Sequence, residues 1–166
     1  TIGVQGGSQG SEQINRYLYK FLNEKNTRNV NFLHITGKDK IDNNLKFENY
    51  NQFDFIENMS EYYGKINLQI SRSGGGALEA GFLGIPQVLI PFKHGTTSSH
   101  QHLNAQYLEN LGVAIVVNSY IEFENMLLNI INDYEVKIRE IFNNVNIEIG
   151  NNEITRHLKE ALNEKI

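Results

Sequence analysis

The sequence predicts a doubly wound α/β domain, a parallel sheet of about six strands with helices on both faces. Three observations lead there. Short runs of β-branched and apolar residues alternate with longer stretches of helical period, the pattern of successive βαβ units. Two glycine-rich turns, Gly6-Gly7-Ser8-Gln9-Gly10 and Gly74-Gly75-Gly76, each follow a strand and open a helix, as the first turn does in folds of this class. Finally, 166 residues with 40% hydrophobic and 20% charged side chains are enough for one core, so residues 1–166 are taken as a single domain.

The elements follow in order. Ile2 to Gln5 is the first strand, and Ser11 to Glu24 is a helix with Ile14, Tyr17, Leu18, Phe21 and Leu22 on one stripe. Val30 to Ile35 is the second strand. A polar, Asn/Lys-rich connection leads to a short strand at Phe47 to Tyr50 and then to a helix carrying Ile56, Met59, Tyr62 and Tyr63. Ile66 to Ser71 is the next strand, followed by a helix that runs to Leu83 and is closed by Gly84-Ile85-Pro86. Gln87 to Ile90 is a strand stopped by Pro91, and Lys93 to Ser99 is a polar loop before a helix from His100 to Asn110. Val113 to Val117 has the continuous apolar character of a buried parallel strand. Phe123, Leu127, Ile130, Ile131 and Tyr134 keep helical period, as do Ile154, Leu158, Ala161 and Leu162.

Composition removes several functions. Acidic residues outnumber basic ones, 19 to 15, and no Lys/Arg cluster offers a phosphate-backbone footprint, so nucleic acid is not expected as a partner. The absence of cysteine excludes disulfides, thiolate metal sites and a cysteine nucleophile. No apolar run approaches the ~18 residues of a membrane span, so direct membrane insertion is not expected. The chain does not begin with Met, and Thr1 to Gln5 already has the look of half a strand. A piece of something longer is therefore expected.

Chemistry concentrates at three places. The Gly6–Gly10 turn lets a ligand approach the backbone beside a helix start, whose unpaired N–H groups and dipole favour an anion. A plain tight turn is the alternative. It is not a Walker loop, since no Gly-Lys-Ser/Thr follows, and a dinucleotide fingerprint fits badly in spacing. Ser73-Gly74-Gly75-Gly76-Ala77-Leu78-Glu79 repeats the same physics, with Glu79 placed as a first-turn acid or as an acceptor for ribose hydroxyls. His100-Gln101-His102-Leu103-Asn104-Ala105 opens a later helix, with His100 and Asn104 one turn apart. His94, His100 and His102 lack an acidic partner at ligand spacing, so no metal is expected. His34 is taken to anchor its turn and His157 to face solvent. No Ser-His-Asp set and no hydrolytic carboxylate pair is present.

Gly6-Gly7-Ser8-Gln9-Gly10, His34-Ile35-Thr36-Gly37-Lys38, Phe55-Ile56-Glu57-Asn58-Met59, Ser71-Arg72-Ser73-Gly74 with Glu79, Gly84-Ile85-Pro86, Ile90-Pro91-Phe92 and His100-Gln101 with Asn104-Ala105 occur in one order. In that order they resemble the MurG family, bacterial N-acetylglucosaminyltransferases of peptidoglycan synthesis in glycosyltransferase family 28. The resemblance covers nearly the whole chain and points to the C-terminal, donor-binding half of a two-domain GT-B enzyme, a Rossmann-like fold. It implies that Ser8 faces the donor diphosphate, that Phe55 and Ile56 line the uracil pocket, and that Glu79 holds the ribose hydroxyls. It further implies that Gly74, Gly75, Gly76, Ala77 and Leu78 wrap the phosphates and ribose with backbone groups, and that Gln101 and Asn104 read the GlcNAc hydroxyls.

The reaction implied is inverting transfer of GlcNAc from UDP-GlcNAc to the muramoyl 4-hydroxyl of lipid I, giving lipid II, with no cofactor, no obligatory metal and no covalent intermediate. The full-length protein would lie in the cytoplasm, peripheral on the cytoplasmic face of the inner membrane. Lipid I and the catalytic base would belong to an N-terminal domain absent from this chain, which alone would turn over nothing. Two departures stand out: the glycine loop before Glu79 is one residue shorter than the family pattern, and the loop before His100 is slightly longer. Ser73-Gly74-Gly75 followed by an acid also resembles UDP-GlcNAc 2-epimerases of the same fold, although these do not account for Gly-Gly-Ser-Gln-Gly or for His-Gln-x-x-Asn-Ala. A nucleotide-sugar-binding subunit of a split lipid-linked GlcNAc transferase is the other alternative.

Overall fold

A computed structural model of the chain describes residues 1–92 and 98–141. Strands β1 (Ile2–Gln5), β2 (Phe32–Ile35), β3 (Tyr50–Phe53), β4 (Leu68–Ser71), β5 (Gln87–Leu89) and β6 (Ala114–Val116) form one sheet in the order β3-β2-β1-β4-β5-β6. Every neighbouring pair is parallel. Six helices accompany them among the described residues: α1 (Glu12–Glu24), α2 (Met59–Tyr63), α3 (Gly75–Phe82), α4 (Ser98–Asn110), α5 (Tyr120–Asn132) and α6 (Tyr134–Ile141). The doubly wound parallel sheet expected from the sequence is the one that forms.

Strand alternation sends side chains to two faces, and each face carries its own helices. Ile2, Val4, Phe32, Leu68, Ile70 and Val88 pack against Ile14, Leu18, Phe21 and Leu22 of α1 and against Phe123, Leu127 and Ile130 of α5. Each of these side chains contributes about 1.5–3 kcal/mol by leaving water. On the other face, Ile35 meets Tyr62, Tyr63 and Ala80, while Leu89 and Ala114 meet Ala77, Ala105 and Leu108. Ser11 caps α1 by accepting from the Ile14 N–H at 3.3 Å.

Several expectations shift: α4 begins at Ser98, within the expected polar loop, and the strands expected from Val30 and Ile66 begin at Phe32 and Leu68. β3 forms three residues later than Phe47 to Tyr50, because it is Tyr50–Phe53 that comes into register with Phe32–Ile35 of β2. The helix expected to include Ile56 begins only at Met59, where the Asn58 side chain accepts from the Glu61 N–H, and Ile56 packs beside it from the preceding loop. Tyr134 starts a separate helix, since Asp133 leaves helical geometry at φ −147°. β6 is an edge strand with Ile115 and Val116 only half-buried, rather than fully enclosed. His94, His157 and the helical pattern at Ile154, Leu158, Ala161 and Leu162 lie outside the described residues.

The order of strands has one consequence for function. The chain winds outward from β1 through β2 to β3, then returns to lay β4 on the opposite side of β1. The loops leaving β1 and β4 therefore diverge and open a crevice at the carboxyl ends of these two strands, the place where open α/β sheets bind ligands.

Candidate functional site

Both glycine turns lie at that crevice. The pairing of β1 with β4 ends at Gln5, opposite Ser71. Residues 6–10 then fold back tightly, with the Gly10 N–H donating to the Gly7 carbonyl at 2.9 Å. Gly10 has φ +68°, and a Cβ there would collide with the Thr36 carbonyl oxygen. This turn is locked onto the end of β2. Above it opens a cleft of about 840 Å³, lined by residues 6–13 with Arg16, Lys40, Arg72, Phe92 and Gln101. Ser8 is exposed on its rim.

The cleft gathers more positive than negative charge, with Arg16, Lys40 and Arg72 beside Glu12. The Arg72 guanidinium donates through Nη1 to the carbonyls of Ile90 at 2.8 Å and Pro91 at 3.1 Å, and lies 5.2 Å from the centre of the Phe92 ring. It is 9% exposed, and among the described residues no carboxylate pairs with it. Burial lowers its pKa, yet a guanidinium keeps its charge. Lys40 donates to the Gln9 carbonyl at 2.8 Å, which places a second cation beside the turn. The N-terminus of α1 adds its partial positive charge.

The second turn is held from outside. Ser73 Oγ donates to the Gln101 carbonyl at 2.6 Å, Asn104 Nδ2 donates to the Ser73 carbonyl at 3.0 Å, and the Phe92 N–H donates to Gln101 Oε1 at 3.0 Å. These bonds clasp α4 to the loop between β4 and α3, so Gln101 and Asn104 stand next to the glycines. Gly74 is the N-cap of α3 and no side chain caps it. Among the described residues, a Cβ on Gly74 or Gly75 would meet nothing within 4 Å. Ala77 is fully buried against Leu89, Ala105 and Leu108, and the N–H groups of Ala77 and Leu78 already donate to the Gly74 carbonyl. Gly75 and Gly76 occupy the first two helical positions, whose N–H groups have no partner inside a helix.

Glu79 falls in the second turn of α3 rather than the first, which removes the helix-dipole explanation considered for it. It is exposed and accepts from the Tyr63 hydroxyl at 3.0 Å. Phe55 is 64% exposed in the loop after β3, and Ile56 packs in the apolar cluster that contains Tyr63. The structure thus groups Ser8 and Gln101 on the cleft, and Phe55, Ile56 and Glu79 on the α2/α3 side, with Gly74–Leu78 and Asn104 between them.

His34 is wholly buried. Asn15 Nδ2 donates to the Thr36 carbonyl at 3.0 Å, so its Oδ1 must accept from His34 Nε2, 3.0 Å away, and Nδ1 is left to accept the Tyr50 hydroxyl at 2.8 Å. Burial pushes its pKa down to about 3, and the ring stays neutral. Among the described residues no three or more His, Asp or Glu side chains gather in a group that could hold a metal. Arg72 appears in the sequence only within the motif Ser71-Arg72-Ser73-Gly74 and with no role of its own, although its place just before a glycine turn at a strand end was a signal. Tyr63 and Lys40 offered none, since their contacts depend on long-range folding.

Residues 1–158 match the model of the glycosyltransferase family 28 C-terminal domain. The chain belongs to this family. It is 34% identical over 154 residues to the UDP-N-acetylglucosamine–N-acetylmuramyl-(pentapeptide) pyrophosphoryl-undecaprenol N-acetylglucosamine transferase of Thermosipho africanus, covering 92% of this chain and 40% of that protein. The same-named protein of Prochlorococcus marinus (strain NATL1A) is 36% identical over 138 residues, covering 80% and 39%. The chain thus spans about two fifths of the length of these relatives. Its fold is that of Acinetobacter baumannii MurG, with TM-score 0.70 at 21% identity over 84% of this chain and 45% of that one. A glycosyltransferase of kitacinnamycin also shares it, with TM-score 0.62 at 18% identity over 84% and 38%. These neighbours are GT-B glycosyltransferases, and the family 28 domain takes the same architecture. No helix among the described residues is long and apolar enough to cross a membrane.

Proposed function

We propose that this chain is the donor-binding, C-terminal domain of a two-domain inverting glycosyltransferase, and that it holds UDP-GlcNAc in the crevice between β1 and β4. One observation carries the reading: beside the Gly74-Gly75 turn, which leaves open space among the described residues, lies a cleft whose buried cation, Arg72, has no carboxylate partner among the described residues. A nucleoside diphosphate suits both. The diphosphate lies over the Gly6–Gly10 turn beside Ser8, with Arg72, Lys40 and the α1 N-terminus supplying positive charge. The N–H groups of Gly75 and Gly76 meet the phosphate nearest the ribose, and the Glu79 carboxylate accepts from the ribose hydroxyls. Uracil packs on Phe55 and Ile56, and the amide atoms of Gln101 and Asn104 that are not held by Phe92 and Ser73, Nε2 and Oδ1, meet the sugar.

Catalysis by this half is electrostatic. As the bond from GlcNAc to the diphosphate breaks, negative charge grows on UDP, and donors already fixed in place stabilise it without reorganising. The acceptor hydroxyl, its base and the lipid belong to the other half of the enzyme. With relatives named for transfer to the undecaprenol-linked muramyl-pentapeptide, lipid I is the acceptor proposed, and lipid II the product. The whole enzyme would then work at the cytoplasmic face of the membrane that holds the lipid.

Calorimetric titration of this chain tests the reading, with UDP, UDP-glucose and NAD as comparisons. Saturable binding of UDP-GlcNAc, tighter than UDP-glucose, is expected. If no uridine nucleotide binds at millimolar concentration, the reading is wrong.

A further inference from the structure

Three glutamines lie side by side in the sheet beneath α3: Gln5 on β1, Gln69 on β4 and Gln87 on β5, with exposures of 7%, 0% and 0%. Buried amides must be paired, and here the pairing runs one way. Gln87 Nε2 donates to the Ala77 carbonyl at 2.9 Å, which turns Gln87 Oε1 toward Gln69 Nε2 at 3.1 Å. Gln69 Nε2 also reaches the Gly76 carbonyl at 3.1 Å, and Gln69 Oε1 accepts from Gln5 Nε2 at 2.8 Å. The second proton of the Gln5 amide points at the Tyr63 hydroxyl oxygen, 3.4 Å away.

That arrangement fixes what the Tyr63 hydroxyl can do. Its oxygen faces a donor, so its own proton is directed to Glu79 Oε2 at 3.0 Å, with the Gly76 carbonyl at 3.3 Å. Burial raises the phenol to about 12 and keeps that proton in place. The Tyr63 ring packs in the cluster with Ile66, Ala80 and Ile85, a task phenylalanine would perform equally well. Among the described residues Glu79 has no other partner. Without the hydroxyl, an exposed glutamate on a helix surface would distribute over several rotamers and lose entropy on meeting a ligand.

We infer that Tyr63 is a positioning residue, whose hydroxyl orients the Glu79 carboxylate so that its remaining oxygen is presented to the ribose of the nucleotide. This rests on the ribose role proposed for Glu79. The glutamine ladder sets α3 and Tyr63 together on one frame, so the carboxylate and the glycine N–H groups keep a common register.

The test compares affinity for UDP and for 2′,3′-dideoxy-UDP, which lacks the hydroxyls. The unaltered chain and Glu79→Ala are measured beside Tyr63→Phe. The unaltered chain should prefer UDP, and Glu79→Ala should abolish the preference. Tyr63→Phe should reduce it about three- to tenfold by weakening UDP alone. A Tyr63→Phe chain that keeps the full preference overturns the inference and leaves the ribose role of Glu79 standing. No preference in the unaltered chain overturns that role and the inference with it. Should Tyr63→Phe not fold, the ¹³Cζ resonance of Tyr63 in the unaltered chain decides: it should move with UDP and stay with the dideoxy nucleotide, and indifference to UDP overturns the inference.

Discussion

The two glycine turns stand side by side at the ends of β1 and β4, yet they use glycine for different reasons. In the first, a Cβ on Gly6 would collide with the Ser11 nitrogen, and one on Gly10 with the Thr36 oxygen. The fold itself demands those glycines. In the second, Gly74 has φ −93°, open to any residue, and among the described residues nothing lies within 4 Å of a Cβ on Gly74 or Gly75. Among the described residues nothing fills that space, whereas a Cβ on Gly76, the third glycine of the turn, would press on the Gln5 amide at 3.1 Å. A glycine explained by its own neighbours speaks of folding, and the open space at Gly74 and Gly75 is where the proposed nucleotide would lie.

Substitution can break this contrast. Gly10→Ala should cost the most, about 3 kcal/mol or more of stability, from the clash and the left-handed backbone together. Urea unfolding measures it, and a loss below ~1 kcal/mol would remove the structural reading of the first turn. Next, Glu79→Ala should weaken UDP binding by about 1.5–3 kcal/mol through loss of a charged hydrogen-bond acceptor. Its unfolding midpoint should not move. Unchanged affinity would leave Glu79 as nothing more than the partner of Tyr63.

Acid tests the first turn. Asn15 ties His34 to the same Thr36 carbonyl that Gly10 abuts. The folded chain keeps His34 neutral down to about pH 3, whereas the unfolded chain protonates it near 6.5. The unfolded state therefore binds more protons in this window, so stability is full above 6.5 and is lost as pH falls, by about 2 kcal/mol near pH 5. A His34→Gln chain should lack this component of the acid dependence. The smallest effect is expected at Gly75→Ala: stability within about 0.5 kcal/mol of the unaltered chain, and affinity for UDP-GlcNAc down about tenfold, or 1.4 kcal/mol. Retained affinity would show the space to be unused.

Much of this was legible in the sequence. Alternating periods give the six parallel strands, β1 falls where Ile2 to Gln5 places it, and Ser11 and Gly84 mark helix ends through local chemistry that any chain would obey. What escaped was decided at a distance. Lys46-Phe47-Glu48-Asn49 and Asn51-Gln52-Phe53 have similar mixtures of apolar and polar residues, and only pairing with β2 selects the second. Gln69 and Gln87 look like polar interruptions of apolar runs, because nothing in their own neighbourhood says that each will find the other across the sheet. The site follows the same rule. Ser8 and the glycines announce themselves as turns, but the neighbours of Arg72, Tyr63 and Asn104 come from other segments.

The strand order also bears on how the chain is made. β1 lies in the middle of the sheet, with β2 on one side and β4 on the other. A ribosome working at about 5–20 residues per second delivers β1 and then spends several seconds before Ser71, the partner of Gln5, has been added. Throughout that interval one edge of the innermost strand has its amides and carbonyls open to any other extended segment. Gln5, the polar residue at the end of that strand, gains its Gln69 partner only when β4 arrives. Nascent chains halted before β4 should accordingly be the ones that chaperones hold and that aggregate when released, while chains halted after β5 should already resist protease.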